Sequence, residues 1–151
     1  MYIREARSQD ADDLTRLLDQ LGYEGSDAFI QNRIQLLTQH PDAGILVCED
    51  EEKVVGFLAY QFFVQFGLMG EFCRISYFCV DKYFRGRGIG KSLEGELEKR
   101  AASRKCDRIE VHCSSGRLRA HPFYTKTGYK ESPRYLIKYL ISDPSFILPS
   151  E

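Results

Sequence analysis

Apolar positions along this chain follow two different periods. Near the N-terminus Ala11, Leu14, Leu17, Leu18 and Leu21 fall at helical spacing behind Ser8 or Asp10 as a candidate cap, and Gly22 marks the end of the predicted helix. A short strand, Tyr2 to Glu5, precedes it. A second helix is predicted from about Ser26 to Thr38, with Phe29, Ile30, Ile34 and Leu37 on one face and Pro41 closing the region. The pattern then turns β-prone. Gly44 to Glu49 and Val54 to Phe63 read as an antiparallel hairpin around the acidic turn Asp50, Glu51, Glu52, and Phe72 to Val80 is the next strand. A glycine-rich turn leads into a helix from about Ile89 to Arg104, on which Ile89, Leu93, Leu97 and Ala101 recur every four residues. Arg108 to Cys113 is a predicted strand, Leu118 to Thr127 a short helix ended by Gly128, and Tyr135 to Ile141 a final strand before a tail. The predicted order is β-α-α-β-β-β-α-β-α-β.

Length and charge narrow the picture. The chain's 151 residues and 43% hydrophobic content fit one domain over 1–151 with a single sizeable core. With 21 Lys+Arg against 22 Asp+Glu there is no general attraction to nucleic acid or to an acidic membrane, so any cationic site must be local. Five cysteines without CxxC pairing sit mostly in strand-like runs and read as reduced thiols. The charged N-terminus and the short apolar run Val54 to Tyr60 lead us to expect a soluble, cytoplasmic protein without a membrane span. His40, His112 and His121 have no metal spacing with one another or with the cysteines, so no metal is expected.

The candidate chemistry lies in YFRGRGIGKSLE, residues 83 to 94. A helix's first turn favours anions, yet Arg85, Arg87 and Lys91 stand there among three glycines. Strand, glycine-rich turn and helix is the general form of an anion site, in which orphan N–H groups face the ligand. A solvated surface turn is the alternative. Gly90, Lys91 and Ser92 match the end of a mononucleotide P-loop, but its first glycine falls on Arg85. The dinucleotide fingerprint fails as well, because its third glycine falls on Lys91 or Leu93.

R-x-x-G-x-G does fit, with Arg85, Gly88 and Gly90 in register directly after the strand ending in Cys79, Val80 and Asp81. This resembles motif A of the GCN5-related N-acetyltransferases (GNAT family). A second segment, AHPFYTKTGY from Ala120 to Tyr129, is similar to that family's late helix, which carries a tyrosine ahead of a terminating glycine and aromatic. The resemblance implies an α/β (α+β) fold with a central mixed, mostly antiparallel sheet flanked by helices, and acetyl-CoA as cosubstrate. It implies that the backbone of Phe78, Cys79 and Val80 pairs with the pantetheine arm. It also implies that the amides of Arg85, Gly86, Arg87, Gly88, Ile89, Gly90 and Lys91 hold the pyrophosphate. Tyr124 matches the tyrosine that protonates the departing thiolate, and Arg117 stands where the family often has a cofactor-contacting asparagine.

The acceptor would be a primary amine on a small molecule or protein. The position of the histone-acetylating branch's glutamate base is Arg74 here, which leaves Glu71, Glu110 and His112 as side chains within reach. The resemblance points to Tyr23, Glu24 and Asp27, and to Phe62, Phe63 and Phe66, as acceptor-side residues; the aromatics are equally readable as core or as a dimer contact. A homodimer through the sheet edge is a partner this architecture allows. A non-catalytic module that binds or senses acetyl-CoA is the second reading, and a phosphotransferase the third.

Overall fold

The computed structural model describes residues 1–112, 120–132 and 135–142. Its elements in chain order are β1 (Tyr2–Glu5), α1 (Ala11–Leu21), α2 (Ile30–Gln39), β2 (Ala43–Asp50), β3 (Lys53–Phe63), β4 (Glu71–Val80), α3 (Ile89–Ser103), β5 (Cys106–Val111) and α4 (Ala120–Lys126). Single 3₁₀ turns at Ser8–Asp10 and Ser26–Ala28 lead into α1 and α2. The expected second helix therefore starts later than its apolar pattern suggests. Gly22, at φ 105°, ends α1 in the left-handed conformation that glycine adopts without strain.

The strands form one mixed sheet in the order β1-β2-β3-β4-β5. The first four are antiparallel, and β5 runs parallel to β4 after the α3 crossover. Period-2 alternation sorts the strand side chains into two cores. Ile45, Val47, Phe57 and Ala59 meet Leu14, Leu17, Ile30 and Ile34 of α1 and α2 on one face. Leu46, Leu58, Tyr60, Cys73 and Ile75 meet Ile89, Leu93 and Leu97 of α3 on the other.

Two features of β4 shape the site. Its pairing with β3 slips between Ala59 and Tyr60, which leaves Ser76 as an extra residue, and the Ser76 hydroxyl donates to the Ala59 carbonyl at 3.2 Å. Such a bulge bends the strand and re-aims the side chains beyond it. Pairing with β5 stops at Ile75 and Val111, so the strands part just where the bulge lies.

The expected final strand, Tyr135 to Ile141, does not form: the described residues 135–142 carry no strand. Leu136 and Leu140 are each 91% exposed. Alternating apolar residues become a strand only where a neighbouring edge supplies a ladder, and here none is engaged.

Candidate active site

The loop after β4 is built on Asp81, which is fully buried. Its N–H donates to the Val55 carbonyl (2.8 Å), its carbonyl accepts from Phe84 N–H (2.8 Å), and its carboxylate accepts from Tyr83 N–H (3.0 Å). Arg16 on α1 donates to the same carboxylate, and Gln20, one turn on, accepts Lys82 N–H at 2.9 Å. Burial raises the Asp81 pKa, but the Tyr83 amide and the Arg16 guanidinium outweigh it and hold the carboxyl below its usual range. The loop is thus tied to α1 by charge. Sequence reasoning missed this anchor, although Arg16 and Gln20, four apart on one face of α1, were a signal for it.

Beyond Asp81 the chain turns through Gly86 (φ 79°) and Gly88 (φ 81°), left-handed positions where a side chain would be strained. Gly88 is the N-cap of α3, whose first turn holds no acidic residue. Among the described residues, none accepts a hydrogen bond from the backbone N–H groups of residues 85–91, whereas Ser92 N–H already bonds the Gly88 carbonyl. These donors stand at the positive end of a 15-residue helix, where an anion is electrostatically favoured. Gly56 lets α3 lie close to the sheet, since a Cβ there would meet Ile89 Cγ2 at 3.0 Å.

These donors open onto a cleft of about 900 Å³ between the parted ends of β4 and β5. Phe78, Cys79 and Val80 line one wall, past the point where the β4–β5 ladder ends at Ile75. Arg85, Gly86, Gly88, Ile89, Gly90 and Lys91 line the floor, and Tyr124 and Phe123 of α4 close the far side. Arg87 is not in the lining; its guanidinium lies 4.7 Å over the Phe84 ring. Arg117 falls outside the described residues. The Cys79 thiol points away from the cleft, donating to the Leu17 carbonyl at 3.5 Å, which argues against a covalent role for it.

Tyr124 is held by aromatic edges, with ring centroids 6.4 Å from Phe78, 5.4 Å from Phe123 and 5.3 Å from Tyr129. Tyr129 O–H donates to Glu94 on α3 at 3.1 Å. Burial drives the Glu94 carboxyl and the Tyr129 phenol upward, the latter reinforced by the Glu94 charge.

The three base candidates separate. Glu71 accepts from Arg104 at 2.9 Å. Glu110 accepts from Arg108 at 2.8 Å and Arg74 at 3.0 Å; burial pushes its pKa up, and the two guanidiniums outweigh this and leave it lowered. His112 lines the cleft just past β5, stacked on Tyr135 at 4.3 Å. Of the acceptor-side residues, Tyr23 meets Tyr77 edge-on at 5.0 Å, and Glu24 and Asp27 are exposed nearby in sequence. Phe63 stacks on Phe72, but Phe62 packs on the α3 face under Arg104, and Phe66 projects into solvent from the β3–β4 loop. Among the described residues no His, Cys, Asp and Glu group is arranged to hold a metal, and no helix is long and apolar enough to cross a membrane.

The site thus combines a mixed sheet parted at one end with a glycine-rich loop that leads into α3. The profile of the Acetyltransferase (GNAT) family matches residues 10–129, and the chain belongs to that family. An uncharacterized N-acetyltransferase of Methanocaldococcus jannaschii is 28% identical over 137 residues, covering 85% of this chain; the chain spans 60% of that relative's length. The glucosamine-6-phosphate N-acetyltransferase of Arabidopsis thaliana superposes with a TM-score of 0.81 at 26% identity, covering 93% of this chain and 98% of its own. A GNAT family acetyltransferase of Staphylococcus aureus shares the fold with a TM-score of 0.78 at 23% identity, covering 92% of this chain and 98% of its own. Acetyl transfer is the general chemistry of this family.

Proposed function

We propose that this chain is an acetyl-CoA-dependent N-acetyltransferase that acts on a primary amine of a small molecule or protein by direct attack in a ternary complex. The observation that carries this reading is the convergence, in one cleft, of the end of β4 beyond its ladder with β5, the glycine-rich turn of residues 85–91 at the N-terminus of α3, and Tyr124. The fit to the cosubstrate is good on three counts. The cleft's volume of about 900 Å³ leaves room for an extended arm, the amides suit a pyrophosphate, and Arg85 and Lys91 add charge beside them. Phe78 to Val80 present backbone donors and acceptors to the arm, as an edge strand does to an added one.

In the step itself the neutral amine attacks the thioester carbonyl, the C–N bond forms and the C–S bond breaks. Tyr124 supplies the proton to the departing sulfur, which suits a phenol because its ordinary pKa exceeds that of a thiol. The proton lost by the ammonium passes to His112, the candidate base whose side chain lines the cleft without a carboxylate's tie to arginine. A cytoplasmic location is supported by the reduced thiols of Cys48, Cys73 and Cys106. A homodimer through the outer edge of β5 is supported by the lack of a described strand partner there.

The test is a thiol-release screen of acetyl-CoA against aminoglycosides, polyamines, amino acids and peptides. One productive acceptor, with turnover in Tyr124→Phe reduced roughly a hundredfold at near-constant acetyl-CoA affinity, is the expected result. The second reading, a non-catalytic acetyl-CoA-binding module, draws on the ion pairing of Glu71 and Glu110, which commits both of these carboxylates to arginines. Tight acetyl-CoA binding by calorimetry, with no thiol release across the panel, would decide for it.

A further inference from the structure

Arg74 is paired with more than its fold requires. It lies opposite Glu110 in the parallel β4–β5 ladder, one register pair before the strands part. Its neighbours Cys73 and Ile75 are buried in the α3-side core, so its own side chain is on the opposite face, the one that α1 and α2 cover only in part. There the guanidinium lies 5.1 Å from the Phe63 ring and 5.4 Å from the Phe72 ring. Its one hydrogen bond among the described residues is Nη2 to Glu110, and its Nε N–H is buried with no partner. A buried donor left unbonded is costly, and a cross-strand lysine would have satisfied Glu110 without it. Glu110 also has a second cation in Arg108, so the carboxylate does not need Arg74 to be neutralised.

This arrangement keeps a planar guanidinium beside the stacked Phe63–Phe72 pair, its Nη1 without a hydrogen bond among the described residues and about a third of the side chain exposed. His112 lies just past the end of β5, two residues on from Glu110 and so within roughly 7 Å of it along the chain. We infer that Arg74 anchors an oxyanion, a carboxylate or phosphate, carried by the acceptor several bonds away from its reacting amine. The acceptor is then a zwitterionic amine, and Phe63 and Phe72 offer its body an apolar bench. This inference rests on the acetyltransferase reading for the identity of the amine, but the anion site itself does not.

The experiment compares benzylamine, 4-(aminomethyl)benzoate, its methyl ester and 4-(aminomethyl)phenyl phosphate. Each is measured as an acceptor by thiol release and, separately, as a ligand of the CoA-loaded protein by calorimetry. At least a tenfold preference for the carboxylate or the phosphate over the neutral analogues is expected, carried by KM rather than kcat, and the two anions distinguish the source. Arg74→Gln should erase that preference in binding and in KM while leaving the KM for acetyl-CoA in place, and Arg74→Lys should restore part of it. Thermal unfolding of both variants checks that each remains folded. Thiol release without any anion preference, or a preference that survives Arg74→Gln, overturns the anion site and leaves the enzyme reading standing. Arg74-dependent anion binding without thiol release from any amine supports the site and rejects the enzyme reading. The absence of both binding preference and turnover overturns the inference.

Discussion

The carboxylate of Asp81 and the guanidinium of Arg16 form an ion pair between the end of β4 and the middle of α1, and the same carboxylate caps the Tyr83 amide at 3.0 Å. One buried group thus fixes the start of the glycine-rich loop to a helix on the other side of the sheet. Asp81→Ala removes both bonds and leaves Arg16 without its buried partner. A loss of roughly 2–3 kcal/mol is expected, below the cost for a fully buried pair because Arg16 is about one third exposed. The folded pKa of Asp81 lies below its unfolded value, so its contribution is complete above the ordinary carboxylate pKa and fades as pH falls through the folded one. Urea unfolding between pH 7 and 3 should therefore show the gap between wild type and variant closing at the acid end. A gap that stays constant with pH would remove the charge from the explanation.

The strand of this site was legible in the sequence, and its anchor was not. Phe72 to Val80 alternated as a half-buried strand, and Arg85, Gly88 and Gly90 stood in register behind it, so β4, the turn and α3 could be read locally. Asp81 is far along the chain from Arg16 and Gln20, and only the packing of α1 on the sheet brings it to them. The Ser76 bulge was equally hidden, because a one-residue slip in pairing leaves no mark on an apolar run. Tyr135 to Ile141 shows the converse error. Its alternation was sound, but a strand also needs an edge, and no local pattern reports whether one is engaged.

Gly56 is on β3, outside the cleft lining, yet it controls how closely α3 approaches the sheet. A Cβ at this position would lie 3.0 Å from Ile89 Cγ2, 3.3 Å from Leu93 Cδ1 and 3.4 Å from the Cys79 carbonyl. Ile89 follows the N-cap of α3, so relief of that clash must displace the amides proposed to hold the pyrophosphate. Gly56→Ala is expected to cost about 1–3 kcal/mol in stability, as overpacking of a tight core does. It should also weaken acetyl-CoA binding several-fold by calorimetry. Stability lost with affinity unchanged would mean that the strain dissipates within the core before it reaches the loop.

Glu94 is buried on the otherwise apolar face of α3, and its acceptor role toward Tyr129 O–H ties α4's end to that helix. Burial raises its pKa, so the sign opposes that of Asp81. The stability it contributes is complete below the unfolded carboxylate pKa and is lost as pH rises through the folded one. Glu94→Gln keeps an acceptor for Tyr129 and removes the charge. Relative to wild type, the variant should gain stability from pH 4 to pH 7, measured by denaturant unfolding at each pH. A relative stability that falls over this interval would contradict the buried charge.

The thiols bear on how the chemistry can be assayed. Cys48, Cys73 and Cys79 are buried, and Cys106 is half-buried. Burial, with Cys106 beside it, pushes the Cys73 thiol up to about 12, and burial raises Cys48 and Cys106 as well. The thiolate is the reactive form, and at neutral pH these groups hold little of it. In native protein at pH 7.5, Cys48 and Cys73 should therefore react slowly with a disulfide reagent that reads free thiol, over hours rather than minutes, and burial alone should shield Cys79 likewise. Addition of urea should expose them at once, which peptide mapping of the labelled chain would resolve site by site. Rapid native labelling of Cys79 would be the informative exception, since its thiol bonds the Leu17 carbonyl beneath α1. Reaction there would require α1 to part from β4, and with it the Arg16–Asp81 pair that holds the loop.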